Sequence, residues 1–117
     1  MNENEVKQYI DTEKALGRIR GNTKLFKTLL NTFLGSPHFE QMKKEIEAGD
    51  HEAAAKSAHA IKGVAANLSL VAVYDLSLSL EASLKAGSGV EESFATFQNA
   101  YAETLKAIDI VKNGLPA

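Results

Sequence analysis

Three residues within five positions combine side chains that can do chemistry together: His59, Lys62 and Gly63. An imidazole is a nucleophile and a proton carrier near neutral pH. An ammonium one helical turn further on could sit beside a phosphoryl group carried on that ring. A glycine in the middle of a helix costs close to 1 kcal/mol against alanine, so Gly63 needs a reason, such as room for a second protein at the imidazole. The remaining histidines, His38 and His51, read as surface residues near helix starts. Their spacing makes no metal site: His51-Glu52 is followed by Ala55, so H-E-x-x-H is absent. No histidine has a glutamate three residues before it, as di-iron bundles require. With no cysteine, thiolate sites and disulfides are excluded. No glycine-rich phosphate cradle or nucleotide motif occurs, which argues against an autokinase.

The elements that must hold these residues are helical. The chain is rich in Ala, Leu, Lys and Glu, all good helix formers, and has only two prolines. Asn2 to Ile10 reads as a short lead-in helix, and Asp11 caps a second short segment ending near Gly21. Asn22 or Thr23 opens a stronger helix in which Phe26, Leu29, Leu30 and Phe33 form one buried stripe. Gly35 interrupts it, and Ser36-Pro37 reads as N-cap followed by N1 of a helix carrying Phe39, Met42 and Ile46. After Gly49, Asp50 caps the histidine helix, whose Ala54, Ala58, Ile61, Ala65 and Leu68 repeat at four, three, four and three. That helix pauses near Asn67 to Ser69.

Val71 to Ala86 is ambiguous, because Leu76, Leu78 and Leu80 alternate like a strand. Val73, Ser77, Leu80 and Leu84 fit a helix, and no partner strand exists, so the segment reads as helix. Gly87-Ser88-Gly89 ends it. The last helix carries Val90, Phe94, Phe97, Tyr101, Leu105, Ile108 and Val111 on one face, a core stripe with no cofactor implied, and stops at Gly114-Leu115-Pro116. The expected fold is all-α: an up-down-up-down four-helix bundle with a short N-terminal lead-in helix, one domain over residues 1–117.

On a helical wheel His59 lies about 140° from the centre of the stripe running from Ala54 to Leu68, so it faces outward. Glu52, Ala55, Gly63 and Ala66 fall within about 40° of it, and Lys62 lies between that face and the edge of the core. Apart from Glu52 these neighbours are small. Gly63 points about 180° from the core stripe, which disfavours packing inside the bundle as its explanation.

The run from Ala58 to Ser69, AHAIKGVAANLS, resembles the core motif of histidine-containing phosphotransfer (HPt) domains, H-x-L-K-G with a G-N-[I/L]-G tail. Leu80 to Gly87, LEASLKAG, resembles the family's L-E-x-x-L-K-x-G segment. The similarity extends from about Asp11 to Gly87, and the final helix agrees in kind. The family often has glycine where this chain has Ala66 and Ser69. The resemblance implies that Nε2 of His59 accepts a phosphoryl group from a receiver-domain aspartyl phosphate and passes it to another receiver. It makes Lys62 the residue that neutralises phosphate charge. Ala55, Gly63 and Ala66 become a receiver docking face. Glu81 becomes a candidate acceptor for Nδ1–H of His59, which would orient the ring; an exposed helix charge paired with Lys85 at i+4 is an equal reading of that residue.

The implied partners are response-regulator receiver domains, with a hybrid histidine kinase as a further candidate. No metal and no cofactor are expected of this chain; Mg²⁺ would come with the receiver. Formal charge is -2, from 13 basic and 15 acidic residues, which leaves no cationic footprint for nucleic acid. The polar, acidic N-terminus lacks the basic and apolar regions of a signal peptide, and no apolar run is long enough for a membrane span. A cytoplasmic, monomeric phosphocarrier without enzyme activity of its own is expected. Met1 and the full helix set favour a freestanding protein over a piece of a hybrid kinase. The rival reading is a helical-bundle adaptor that binds a signalling partner without being phosphorylated.

Overall fold

The computed structural model describes residues 1–116 and is helical throughout, with no strand among the described residues. The helices are α1 (Glu3–Lys7), α2 (Thr12–Arg18), α3 (Thr23–Leu34), α4 (His38–Glu47), α5 (His51–Leu68), α6 (Val71–Ala86) and α7 (Val90–Gly114). The ambiguous segment is α6, with the boundaries the helical reading gives it.

Short polar side chains start most of these helices by accepting bonds from otherwise unpaired N–H groups. Asp11 accepts from the N–H of Lys14 at 3.0 Å, Asn22 from that of Leu25 at 2.9 Å and Asp50 from that of Ala53 at 3.1 Å. Asn2 and Glu5 form a reciprocal capping box on α1. At α4 the cap differs by one residue from expectation. Pro37 holds the cap position, the helix begins at His38, and Ser36 Oγ accepts the N–H of His38 at 3.3 Å.

The core follows the apolar stripes. All five stripe residues of α5 are buried, as are Val73, Ser77, Leu80 and Leu84 of α6. α5 packs against α4 on one side and α6 on the other, α6 packs against α7, and α3 touches α5 and α7. An aromatic stack closes the α4–α7 seam: Phe39 lies 4.3 Å from Tyr101 and 6.1 Å from both Phe94 and Phe97, ring centre to ring centre. Leu29 departs from its expected place. Phe26, Leu30 and Phe33 already fill the inward face of α3, and Leu29 stays exposed in a shallow groove with Val64. On α7 the fully buried Thr104 joins the stripe, its hydroxyl bonded to the carbonyl of Ala100 at 2.7 Å.

The α5–α6 connection is held by the N-terminal segment. Asp11 N–H donates to Ser69 O at 2.9 Å and Val71 N–H to Tyr9 O at 3.0 Å. Ser69 itself is left-handed, at φ 54°, a conformation costing a non-glycine residue roughly 1 kcal/mol or more. Glycine would adopt this backbone without that cost. Arg18 supports the serine instead: one guanidinium nitrogen donates to Ser69 Oγ at 2.6 Å and to Asn67 O at 3.2 Å.

Candidate functional site

Burial of the α5 stripe rotates His59 outward at the middle of the helix, where 68% of its side chain is exposed. On the neighbouring helix, Leu80 and Leu84 point into the core and turn Glu81, between them, toward α5. Glu81 is therefore buried, not an exposed helix charge, with 11% of its side chain accessible. Its carboxylate nevertheless has two ammonium groups and an imidazole around it. Lys62 Nζ donates to Oε1 at 3.1 Å, Lys85 Nζ lies 3.0 Å from Oε2, and His59 Nδ1 lies 3.5 Å from the same Oε2.

The two expected readings of Glu81 thus meet in one residue. It pairs with Lys85 at i+4, and it also stands beside Nδ1 of His59, at a distance longer than an ordinary hydrogen bond. The bond to Lys85, joined by the bond and charge of Lys62, holds the Glu81 carboxyl below its usual range and outweighs the opposing effect of burial. Lys62 is not a free surface charge; its stem is largely covered, with 21% of the side chain exposed, and its ammonium is committed to Glu81.

The three small residues expected on one face separate. Gly63 is exposed, and a Cβ built on it would meet nothing within 4 Å. No neighbour inside the protein requires glycine there. Ala55 is buried instead of exposed, because it closes the floor of a groove between α5 and α6, together with Leu84. His59, His51, Lys56 and Lys85 stand around that groove. Ala66 lies in a different depression, between α2 and the α5–α6 connection, with Lys14, Arg18 and Tyr74. His38 and His51 do head their helices, but both are half-buried.

The structure therefore brings His59, Lys62, Glu81 and Ala55 together and leaves Gly63 and Ala66 along the same helix. Sequence reasoning passed over His51 and Lys56 as groove residues. Their one signal was position: eight and three residues before His59, they fall on the flanks of its face. Arg18 carried no signal, since its partners lie across the bundle. Chemically, the arrangement is an accessible imidazole with a carboxylate on its Nδ1 side and two ammonium groups within reach. Among the described residues no cluster of three or more His, Asp or Glu could hold a metal ion, and no helix is long and apolar enough to cross a membrane.

Among protein-family models, that of the Hpt domain matches residues 29–109, which include every one of these site residues except Arg18, Lys14 and the segment before α3. No curated protein and no solved structure matches the chain.

Proposed function

The chain belongs to the Hpt domain family, and on that premise we propose that it is a phosphorelay carrier that holds a phosphoryl group on Nε2 of His59. Family membership implies a part in histidine phosphotransfer within two-component systems, by modules that meet receiver domains and lack an ATP site of their own. The finer reading concerns this chain's residues. The observation that carries it is His59 itself, an exposed imidazole in mid-helix with a buried carboxylate 3.5 Å from Nδ1.

In this reading the Nε2 lone pair attacks the phosphorus of a receiver's aspartyl phosphate. The N–P bond forms as the acyl P–O bond breaks, and the electron pair leaves on the aspartate carboxylate. The ring gains positive charge in the transfer, and Glu81, ionised and fixed beside Nδ1, stabilises it where it develops. A proton on Nδ1 directed at that carboxylate leaves Nε2 free to react. Lys62, held next to the ring by Glu81, adds positive charge near the phosphoryl oxygens. The reverse attack by a second receiver's aspartate passes the group on. Gly63 supplies the bare surface over which a receiver approaches, and the receiver brings the Mg²⁺ that in-line phosphoryl transfer uses. A cytoplasmic monomer acting as a single module fits this role.

The test is direct transfer. Wild type and His59→Gln are incubated with an aspartyl-phosphorylated receiver and Mg²⁺, and an acid-labile, base-stable label is sought on the bundle. Label on the wild type alone is expected. A folded wild type that takes no label from several receivers would refute the carrier reading and leave the adaptor reading in its place.

A further inference from the structure

Glu81 has two carboxylate oxygens and three claimants. Lys62 occupies Oε1, while Lys85 and the ring of His59 share Oε2, the lysine at 3.0 Å and Nδ1 at 3.5 Å. The shorter contact belongs to the lysine, and the ring is left just outside hydrogen-bonding distance. The two lysines are not equivalent. Lys62 is mostly covered, but 68% of the Lys85 side chain is exposed, so its hold on Oε2 is that of a surface pair within one helix and is readily exchanged.

We propose that Lys85 is a positioning residue: it competes with His59 Nδ1 for Glu81 Oε2, and so sets how much of the imidazole population carries its proton on Nδ1 with Nε2 free. The proposal rests on the phosphocarrier reading and adds to it a residue that restrains the resting ring. When Oε2 is released from Lys85, the carboxylate closes on Nδ1–H, the ring is fixed in its reactive tautomer, and the charge that attack places on the ring is met at once. The other charged groups facing His59 are His51, Glu52, Lys56 and Lys62 on its own helix. Of these, Lys62 is the one in contact with Glu81, and it uses the other oxygen. Competition for Oε2 is therefore confined to Lys85 and the ring among the described residues.

A contrary role for Lys85, direct contact with the phosphoryl group, predicts the opposite sign, and this makes the proposal testable. Ring ¹⁵N resonances of His59 are compared at one fixed pH at which the imidazole is neutral, in wild type, Lys85→Gln and Lys85→Arg. Acceptance rates from phosphoramidate with Mg²⁺, a donor too small to need a docking surface, are measured on the same three proteins; the donor's P–N bond breaks, the new N–P bond forms and ammonia leaves. Lys85→Gln is expected to raise both the Nδ1–H share and the acceptance rate about twofold, the factor an exposed i,i+4 ion pair can supply. Lys85→Arg is expected to return both to the wild-type values. Slower acceptance in Lys85→Gln, or an unchanged tautomer ratio, would overturn the proposal. If no protein accepts label while the tautomer ratio still moves as stated, the positioning contact stands and the carrier reading is what fails.

Discussion

Gly63 separates what the fold needs from what a partner needs, and the two requirements have opposite signs. It lies in mid-helix with ordinary helical backbone, is exposed, and has open space where its Cβ would be. Gly63→Ala should therefore stabilise the protein by about 1 kcal/mol, the helix-propensity difference, with no clash to offset it. For a chain of this length the entropy of unfolding is about 0.25 kcal/mol/K, so Tm should rise by about 4 °C. Gly63→Gln should also be stabilising, because glutamine is nearly as good a helix former. Its side chain, however, occupies the surface one turn from His59. If a receiver packs there, transfer from an aspartyl-phosphorylated receiver should fall at least about tenfold, the equivalent of 1.4 kcal/mol of lost contact. Acceptance from phosphoramidate should stay within about twofold of wild type, since no protein surface is docked. Thermal unfolding by circular dichroism and the two transfer assays together decide the matter. A Gly63→Ala variant that melts lower would mean that the glycine is structural. A Gly63→Gln variant that takes phosphate from the receiver at the wild-type rate would remove the docking argument altogether.

The lowered pKa of Glu81 has a definite sign in stability. Its contribution is complete above the unfolded value of 4.5 and is lost as pH falls through the lower folded value, so wild type should lose more stability than Glu81→Gln between pH 5 and pH 3, read as denaturant midpoints. Arg18→Ala should cost about 1–2 kcal/mol by chemical denaturation, because it removes the charged donor that supports the left-handed Ser69. Adding Ser69→Gly in that background should recover part of the loss, since glycine occupies φ 54° without strain. Phe39→Ala, which removes a half-buried ring from the stack on Tyr101, should cost about 2–3 kcal/mol in the same assay, with acceptance on His59 unchanged.

Helix caps and stripes were legible because they are local. Asp11, Asn22 and Asp50 cap the helices their types announce, and the seam from Ala54 to Leu68 is buried at every predicted position. Leu29 failed because a stripe defines a direction and not a width: Phe26, Leu30 and Phe33 fill the inward face of α3, and the fourth apolar residue is left at the edge of the groove it shares with Val64. Ala55 failed in the reverse sense. A single-helix wheel placed it beside His59 on the open face, but α6 runs alongside, and Ala55 ends at the floor of the groove that Glu81 and Leu84 help to line. A wheel describes one helix, and burial is decided by two.

Much of the remaining site was recoverable from the register between helices. His59 lies ten residues before Ser69 and Glu81 eleven residues after Leu70, nearly symmetric about the two-residue connection. Two packed helices joined by so short a link place residues at equal distances from the link at the same height, so a carboxylate at 81 had to stand level with the imidazole once both helices were located. What the register does not decide is how the carboxylate is shared. Lys62 and Lys85 both lie about one turn from that height and have stems long enough to reach it. Each takes one oxygen, Lys62 from a largely covered position and Lys85 from an exposed one. That asymmetry is a property of packing, and it is the feature on which the restraint of the His59 ring by Lys85 depends.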